Sequence, residues 1–269
     1  MADDANPLLS RRDGAVLTLT LNRPQALNSF NGALHDALIG ALKAAAGDAG
    51  VRCVVITGAG RGFCAGQDLS DPAAAPELTP GAAPKDIGNL IEARYKPLAL
   101  LIHQFPVPVI AAVNGVAAGA GANFALNCDI VLAAKSASFI QAFSKIGLIP
   151  DCGGSWLLPR LVGRANAMAL ALLGDKCSAE EAQRIGLIWR CVDDAALASE
   201  AQALAERLAA MPSKALAETR RAFDKADHMD LGTALSMEGE AQRRLGMSHD
   251  YLEGVSAFFA KRAPVFKDR

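Results

Sequence analysis

The hydrophobic pattern of the first sixty residues switches between two periods. Residues 15–21, AVLTLTL, place leucines on one face and threonines on the other, and this period of two predicts a β-strand. The segment from 28 to about 46 repeats leucines every four residues, which predicts an amphipathic helix. Residues 51–57, VRCVVIT, form a short apolar run rich in β-branched side chains, typical of a strand buried on both faces.

The middle of the chain continues this alternation. Residues 70–88 carry prolines among small residues, which predicts an irregular loop that is either a lid or a plain spacer. A helix is predicted at about 89–104, followed by buried strands at 107–113 and 129–133. A glycine-rich segment, 115–121, lies between these two strands.

The pattern changes in the last third of the chain. Ser178 and Glu181 have the spacing of a helix capping box, and residues from about 195 to 261 follow helical periods with polar faces. Strands alternating with helices, followed by helices alone, predict an α/β core and a helical appendage. We place the core at 1–194 and the helical subdomain, expected to serve oligomerisation, at 195–269.

Composition narrows the classes of partner. The chain has 269 residues, 51% of them hydrophobic, so it can bury a large core. Its formal net charge of −1 offers no basic field for nucleic acid. The N-terminus has no apolar run behind its charges, and the longest apolar stretch, 107–122, is interrupted by Asn and Gly. We therefore expect no membrane association and a cytoplasmic location.

Cysteine and histidine give no metal signature. The six cysteines form no CxxC pair and the four histidines stand apart, so no metal site is expected. Most of the cysteines lie in apolar segments, where a thiol behaves as a small hydrophobic group.

Two glycine-rich turns offer candidate chemistry. FCAGQD at 63–68 and GVAAGAGANFAL at 115–126 each follow a predicted strand, and the second opens a helix whose first N–H groups lack partners. If N–H groups of both turns converge on one carbonyl oxygen, they form an oxyanion hole that stabilises an enolate. Spacing alone favours two ordinary tight turns, because glycine after a strand more often forms a simple turn.

Longer stretches of the chain resemble the crotonase (enoyl-CoA hydratase/isomerase) superfamily. They are RGFCAGQDL, VIAAVNGVAAGAGANFALNCDIVLAA and GLIPDCGGSWLLPRLVGRANAMALALLG, with LTLNRPQALNSF near the start and EGVSAFFAKRAPVF near the end. The resemblance covers nearly the whole chain. It implies an α/β fold, a spiral of ββα units with C-terminal helices that build homotrimers, often paired into dimers of trimers.

The resemblance also implies a set of site residues. The oxyanion donors would be the backbone N–H groups of Ala65 and Ala120. No separate cofactor is implied, since coenzyme A is part of the substrate thioester. The residues that would contact coenzyme A are Arg23, Gln25, Ala26, Ala65, Gly66, Gln67, Asp68, Phe259 and Lys261.

Departures from the family pattern are informative. Hydratases of the family use two glutamates to activate water, and at the matching positions this chain has Asn123 and Phe143. Hydration by the two-glutamate mechanism is therefore not expected. Instead, Asp151 occupies a position where isomerases and dehalogenases of the superfamily often keep a carboxylate.

Each of these polar residues has a plain structural alternative. Asp151 either has a structural role, capping the helix starting near Ser155 or lying in a turn with its glycines, or acts as the acid/base with a pKa raised by its apolar neighbours. Asn123 either hydrogen-bonds a substrate oxygen or satisfies a helix start. The large apolar side chains Phe143, Leu148 and Trp156 either shape a ring-sized pocket or belong to the core.

The implied reaction is isomerisation of an acyl-CoA thioester. Among superfamily members, the motif combination most resembles those that convert ring-1,2-epoxyphenylacetyl-CoA to its oxepin thioester in phenylacetate catabolism. The alternatives are a fatty-acid Δ3-Δ2-enoyl-CoA isomerase, a dehalogenase with an aspartate nucleophile, and a non-catalytic CoA-binding protein.

Overall fold

The computed structural model describes residues 6–77 and 79–269. Residues 1–5 and Leu78 lie outside the described residues, and with them part of the N-terminal and 70–88 loop predictions. The strands are β1 Leu8–Asp13, β2 Val16–Leu21, β3 Cys53–Gly58, β4 Gly62–Cys64, β5 Val109–Val113, β6 Val116–Ala118, β7 Ile130–Ala134, β8 Ser138–Ile140, β9 Lys176–Ser178 and β10 Arg190–Val192.

Helices follow the strands in regular order. They are α1 Gly32–Gly47, α2 Ile87–Leu90, α3 Lys96–His103, α4 Ala120–Leu126, α5 Gly154–Leu173, α6 Ala179–Arg184, α7 Leu197–Ala209, α8 Ser213–Ala226, α9 Leu231–Gly246 and α10 His249–Ala260. Short 3-10 helices span Pro24–Ala26, Ala142–Ile146 and Asp194–Ala196, and a π-helical turn spans Ile91–Tyr95.

The strands form two sheets. The larger has six strands in the order β1-β2-β3-β5-β7-β10, and the smaller has four in the order β4-β6-β8-β9. The β1–β2 and β8–β9 pairs are antiparallel, and the other pairs are parallel. A long strand of the first sheet is followed three times by a short strand of the second and then by a helix. This confirms the predicted α/β spiral of ββα units.

Local sequence explains the first elements. The strand predicted at 15–21 is β2, and the buried run predicted at 51–57 is β3, whose residues are almost all buried. The helix predicted from 28 begins later, because the Asn31 side chain accepts the N–H of Leu34 at 2.9 Å and so caps α1. Asn28 instead adopts a left-handed φ of 57° in the preceding turn.

The elements that pattern analysis missed are short or lie at an edge. The strands of the second sheet have three residues each, too few to show a period of two.

The helix predicted at 89–104 is present, with the π-helical turn Ile91–Tyr95 inserted between α2 and α3.

The C-terminal helices differ in how they pack. Leu197, Ala201 and Ala205 of α7 are buried in the main core, so α7 covers the larger sheet. Helix α8 is tied to the start of β7, since Arg220 Nη2 donates to Asp129 Oδ2 at 2.6 Å. Helix α9 buries none of its residues in the single chain. The boundary at 194/195 stays a prediction.

Candidate active site

The two glycine-rich turns meet at the edge of the smaller sheet. Gly66 has a left-handed φ of 91°, and a Cβ placed there would lie 2.8 Å from Ala118 O and 3.4 Å from Ala120 N. A Cβ on Gly121 would lie 2.2 Å from Cys64 O. Only glycine allows this close approach, so these two positions bring the turns together.

One N–H group of each turn remains available to a ligand. Ala120 is the first residue of α4, so its N–H has no partner within the helix. Its φ is not positive, so alanine is tolerated at this position. In the first turn, the Ala65 N–H donates to Leu27 O at 3.0 Å. The prediction that Ala65 supplies an oxyanion donor is therefore wrong. No carbonyl of the described chain accepts the Gln67 N–H, so Gln67 is the residue of this turn whose N–H is open to a ligand.

The N–H at Gln67 follows from backbone geometry. Ala65 continues from β4 and its amide faces a neighbouring segment, whereas the positive φ of Gly66 turns the next peptide away from it. Gln67 and Ala120 both line one pocket with a cavity volume of about 180 Å³. The other lining residues are Ala65, Gly66, Leu69, Ala74, Ile87, Leu90, Ile91, Tyr95, Gly119, Ala142, Phe143, Ile146, Leu148 and Asp151.

Asp151 is the one carboxylic acid among the described residues that line this pocket. Its Oδ1 is buried and has no hydrogen-bond partner in the described chain. Burial raises the pKa of Asp151 to about 7, which confirms the expected direction. Asp151 does not cap α5, because Gly153 is the N-cap and no side chain caps this helix. It does lie in a turn with the glycines, since Gly154 N donates to Asp151 O at 2.8 Å.

Tyr95 was not foreseen from the sequence. Its ring is fully buried and its hydroxyl donates to Gln67 Oε1 at 2.7 Å. Its pKa is raised well above the ordinary value, first by burial and then by the charge of Asp151. The available signal was a hydroxyl-bearing aromatic at a buried position of the predicted helix. Nothing in the pattern indicated that it faces the first turn.

Asn123 does not line the pocket. It is completely buried, and its Nδ2 donates to the backbone O of Asp151 at 2.9 Å. Its Oδ1 accepts from Gln141 Nε2 at 2.9 Å. The prediction that Asn123 is a catalytic residue touching substrate is therefore corrected, because both ends of its amide are used within the protein.

The apolar residues expected around Asp151 divide between pocket and surface. Phe143 and Leu148 line the pocket, as one of the two alternatives proposed. Trp156 does not. On α5, it lies edge-on to His103 with 5.4 Å between ring centroids, and Arg160 stacks over it at 4.2 Å. The helix turns Trp156 away from Asp151 even though the two are close in sequence.

The segments expected to contact coenzyme A lie side by side. Phe30 N donates to Gly66 O at 2.7 Å and Asp68 N donates to Phe30 O at 2.8 Å, so residues 65–68 run along the turn after Pro24–Ala26. Arg23 Nη2 donates to Asp68 Oδ2 at 2.9 Å and Nη1 to Ser29 O at 2.6 Å. Arg23 and Asp68 therefore join the two segments, while Gln25 is exposed and Ala26 half-buried.

Phe259 and Lys261 lie apart from this pocket. Phe259 is 79% exposed, and Lys261 ends α10 with a left-handed φ of 51°. Neither lines the pocket. Within one chain they make no part of the site.

Other candidate groups have structural partners. His103 Nε2 pairs with Asp224 at 3.1 Å, which agrees with a structural histidine. His249, Asp250 and Asp268 have potential ligand atoms within 4.8 Å of one another. The Asp250 carboxylate accepts the N–H groups of Lys267 and Asp268, so it anchors the C-terminal residues.

The cysteines are free thiols, mostly buried. Burial raises the pKa of both Cys53 and Cys64 to about 12, as expected of small hydrophobic groups in a core. Among the described residues, no helix combines the length and apolarity needed to cross a bilayer.

Comparison with known proteins agrees with this geometry. The sequence profile of the enoyl-CoA hydratase/isomerase family matches residues 11–269. The 1,2-epoxyphenylacetyl-CoA isomerase of Escherichia coli K12 is 54% identical over 259 residues, 96% of this chain and 97% of that protein. A Rhodobacter capsulatus protein named "Probable enoyl-CoA hydratase" is 47% identical over 94% of this chain and 95% of its own length.

Solved structures give the same result. The enoyl-CoA hydratase of Bacillus anthracis superposes with a TM-score of 0.90 at 33% identity, covering 98% of this chain and 100% of that one. The chain belongs to the enoyl-CoA hydratase/isomerase, or crotonase, family and is an enzyme acting on acyl-CoA substrates.

Proposed function

We propose that this enzyme isomerises an acyl-CoA thioester through an enolate, with ring-1,2-epoxyphenylacetyl-CoA as substrate and its oxepin thioester as product. The observation that carries the proposal is the Asp151 carboxyl group, whose buried Oδ1 has no partner among the described residues. It lies in a pocket that Gln67 and Ala120 also line, and no described group accepts their N–H groups. A single acid/base can move a proton within one molecule without adding water.

The proposed mechanism uses these groups in sequence. The thioester oxygen accepts hydrogen bonds from the Gln67 and Ala120 N–H groups, which stabilise negative charge as it develops there. The Asp151 carboxylate takes a proton from the α-carbon, and the C–H electron pair moves into the enolate. In the ring epoxide, the C–C bond shared by the three- and six-membered rings opens electrocyclically, which gives the seven-membered ring. The resulting carboxylic acid returns the proton to a ring carbon, the electron pair of the former α C–H bond forms a double bond from the α-carbon to the ring, and the product has the substrate's formula. A pKa of about 7 suits both steps near neutral pH.

Pocket size and lining favour a compact acyl group. The cavity of about 180 Å³ is smaller than the roughly 300 Å³ at which drug-sized ligand sites begin. Apolar side chains including Phe143 and Leu148 form most of its wall. A compact, apolar cavity can hold an aromatic ring, which is compatible with an aromatic thioester and a role in phenylacetate catabolism. The similarity to the Escherichia coli isomerase supports the same substrate.

Two other reactions are kept as alternatives. A Δ3-Δ2-enoyl-CoA isomerase would use the same Asp151 on a straight chain. Hydration is favoured by the name of the Rhodobacter capsulatus relative. Against it, this pocket lacks, among its described lining residues, the second carboxylate that would position water.

The experiment compares wild type and Asp151→Asn on ring-epoxidised phenylacetyl-CoA, a 3-enoyl-CoA and crotonyl-CoA, by ultraviolet spectra and mass spectrometry. We expect a new spectrum at unchanged mass with the epoxide, slowed by about 100-fold or more in the variant. If only the 3-enoyl-CoA changes, the straight-chain reaction is correct. Crotonyl-CoA gaining the mass of water while the epoxide stays unchanged would refute the isomerase assignment.

We further propose that the enzyme works as a homotrimer or a dimer of trimers. The C-terminal helices expose large apolar side chains in the single chain, which marks them as an association surface. These side chains are Phe223, Leu231, Leu235, Met247, Leu252, Phe258 and Phe259.

A further inference from the structure

The turn that carries Asp151 has an unfavourable backbone conformation. Cys152 has a φ of 47° and Gly153 a φ of 83°, so two consecutive residues are left-handed. Glycine adopts such angles freely, but a residue with a Cβ does so only when its surroundings hold it there. Something outside the turn must therefore hold Cys152.

Two asparagines one helical turn apart stabilise this conformation by hydrogen bonds to the turn. Asn123 Nδ2 donates to Asp151 O at 2.9 Å, and Asn127 Nδ2 donates to Cys152 O at 2.7 Å. Asn127 Nδ2 also donates to Asn123 O at 2.8 Å. The carbonyls of two successive residues are thus fixed to helix α4 and the residue that follows it. Each bond fixes one peptide plane, and the two planes meet at the Cα of Cys152, so the left-handed conformation of Cys152 is held. The first plane also adjoins the Cα of Asp151 and therefore restricts the direction of its side chain.

The orientation of the Asn123 amide is itself determined. The Asp151 carbonyl can only accept a hydrogen bond, so Asn123 Nδ2 must face the turn. This leaves Asn123 Oδ1 for Gln141 Nε2, which donates to it at 2.9 Å. Gly154 packs directly against the Asn123 amide, since a Cβ on Gly154 would lie 2.2 Å from Asn123 Nδ2. The start of α5 is therefore pressed against this amide.

The same helix begins with the oxyanion donor. Ala120 is the first residue of α4 and lines the pocket, and Asn123 lies three residues further along. The short, fully buried helix α4 therefore carries both the Ala120 N–H and the asparagine that binds the Asp151 turn, and it fixes the distance between the two. In the turn that Asn123 binds, the Asp151 Oδ1 atom is buried and has no partner among the described residues.

We propose that Asn123 and Asn127 are positioning residues, which hold the turn at Asp151, Cys152 and Gly153 against helix α4 and so orient the Asp151 carboxylate toward the position of the substrate α-carbon. The proposal rests on the proposed function, in which Asp151 moves the proton. Neither asparagine touches substrate. Their effect is to keep the carboxylate in the pocket and away from water.

The test uses Asn127→Ala, which removes the bond to Cys152 while leaving fully buried Asn123 in place. We expect kcat on the epoxide to fall about tenfold with KM within a factor of two, because orientation rather than binding is lost. The apparent pKa governing kcat/KM should also move down toward the ordinary aspartate value, because the freed carboxyl gains solvent. A general loss of stability would leave that pKa unchanged.

A second substitution in the same turn provides the rescue. In Asn127→Ala, adding Cys152→Gly should restore most of kcat, since glycine adopts a φ of 47° without a clamp. Asn166→Ala is the matched control, because Asn166 Nδ2 also donates to the carbonyl four residues earlier, Val162 O at 3.1 Å. It should keep wild-type kcat and pH profile.

An infrared titration separates this proposal from the proposed function. The carboxyl band of Asp151, isolated as wild type minus Asp151→Asn, reports its pKa without any substrate. A lower pKa in Asn127→Ala supports the clamp even if the epoxide is not a substrate. Unchanged kcat and unchanged Asp151 pKa in folded Asn127→Ala would overturn it, as would failure of Cys152→Gly to restore either quantity.

Discussion

At the residue scale, the site depends on what surrounds Asp151 more than on the residue itself. An aspartate ordinarily has a pKa of 3.8, and burial raises that of Asp151 to about 7. The buried Oδ1 has no partner among described residues to stabilise the charged form. Near neutral pH both protonation states are populated, as a group that takes and returns one proton requires.

This pKa predicts the pH dependence of catalysis. The carboxylate form must take the α-proton, so we expect kcat/KM for the isomerisation to rise with pH and level off above about 7. Initial rates between pH 5 and 9, with enzyme stability checked at each pH, measure this rising part (limb) of the pH–rate profile. A limb centred near pH 4 would contradict the role of burial.

The same shift predicts a change in stability with pH. Since the folded-state pKa of Asp151 exceeds the unfolded value, the native state binds its proton more tightly, and that contribution is lost as pH rises from about 4 through about 7. Relative to wild type, Asp151→Asn should therefore gain on the order of a few kcal/mol in free energy of unfolding between pH 4 and pH 8. Urea unfolding at the two pH values tests this, and a constant difference would argue against a buried neutral acid.

Tyr95 gives a third prediction at this scale. Tyr95→Phe removes the hydroxyl that holds Gln67 Oε1, so the Gln67 N–H loses part of its support. With a hydrogen bond worth about 1 kcal/mol, we expect kcat/KM to fall roughly fivefold. Tyr251→Phe is the control, since Tyr251 is 55% exposed on α10. Equal activity in both variants would show that the Gln67 side chain needs no anchor.

At the element scale, helix α4 and the turn before it organise the site. The glycines at 66 and 121 let β4 and α4 approach until the Gln67 and Ala120 N–H groups line one pocket. The π-helical turn Ile91–Tyr95 forms another wall through Ile91 and Tyr95. Such turns often mark functional sites within helices.

Gly66→Ala tests the close approach of the two turns. Its Cβ would lie 2.8 Å from Ala118 O, so the turns must separate and the two donors with them. We expect kcat on the epoxide to fall about 100-fold, the effect of losing one oxyanion donor. Gly14→Ala controls for backbone strain, because Gly14 also has a positive φ, 54°, but nothing within 4 Å of a Cβ. Similar activity losses in the two variants would exclude a specific role for the contact.

At the scale of the whole molecule, the single chain leaves a large apolar area uncovered. Phe258 and Phe259 are each 79% exposed at the end of α10, and α9 buries nothing. Patches of this kind mark surfaces for other proteins, and a second copy is the partner we propose. Association would also decide whether Phe259 and Lys261 contact the coenzyme A of a neighbouring chain.

Sedimentation velocity tests the assembly. Wild type should sediment as three or six chains, and Phe258→Glu should shift it toward single chains because a charge is placed in the apolar contact. Leu9→Glu, at a 44% exposed position on edge strand β1, should leave the assembly unchanged. A monomeric wild type would contradict the proposal.

Local sequence determined the order of the long elements and the location of both glycine-rich turns. Strand β3, helix α1 and the start of α6 follow from periodicity and caps, which act over a few residues. The position of Asp151 also came from the sequence, through the resemblance that its neighbouring motifs carry. These features depend on residues that are adjacent in the chain.

Tertiary structure alone decided which groups face the pocket. Whether Ala65 or Gln67 offers its N–H depends on Leu27, a residue nearly forty positions earlier. The role of Asn123 was decided by the turn at Asp151. Tyr95 contacts Gln67 from the π-helical turn, nearly thirty positions later in the chain. The direction of a peptide plane or an amide is set by partners distant in sequence, and periodicity carries no information about them.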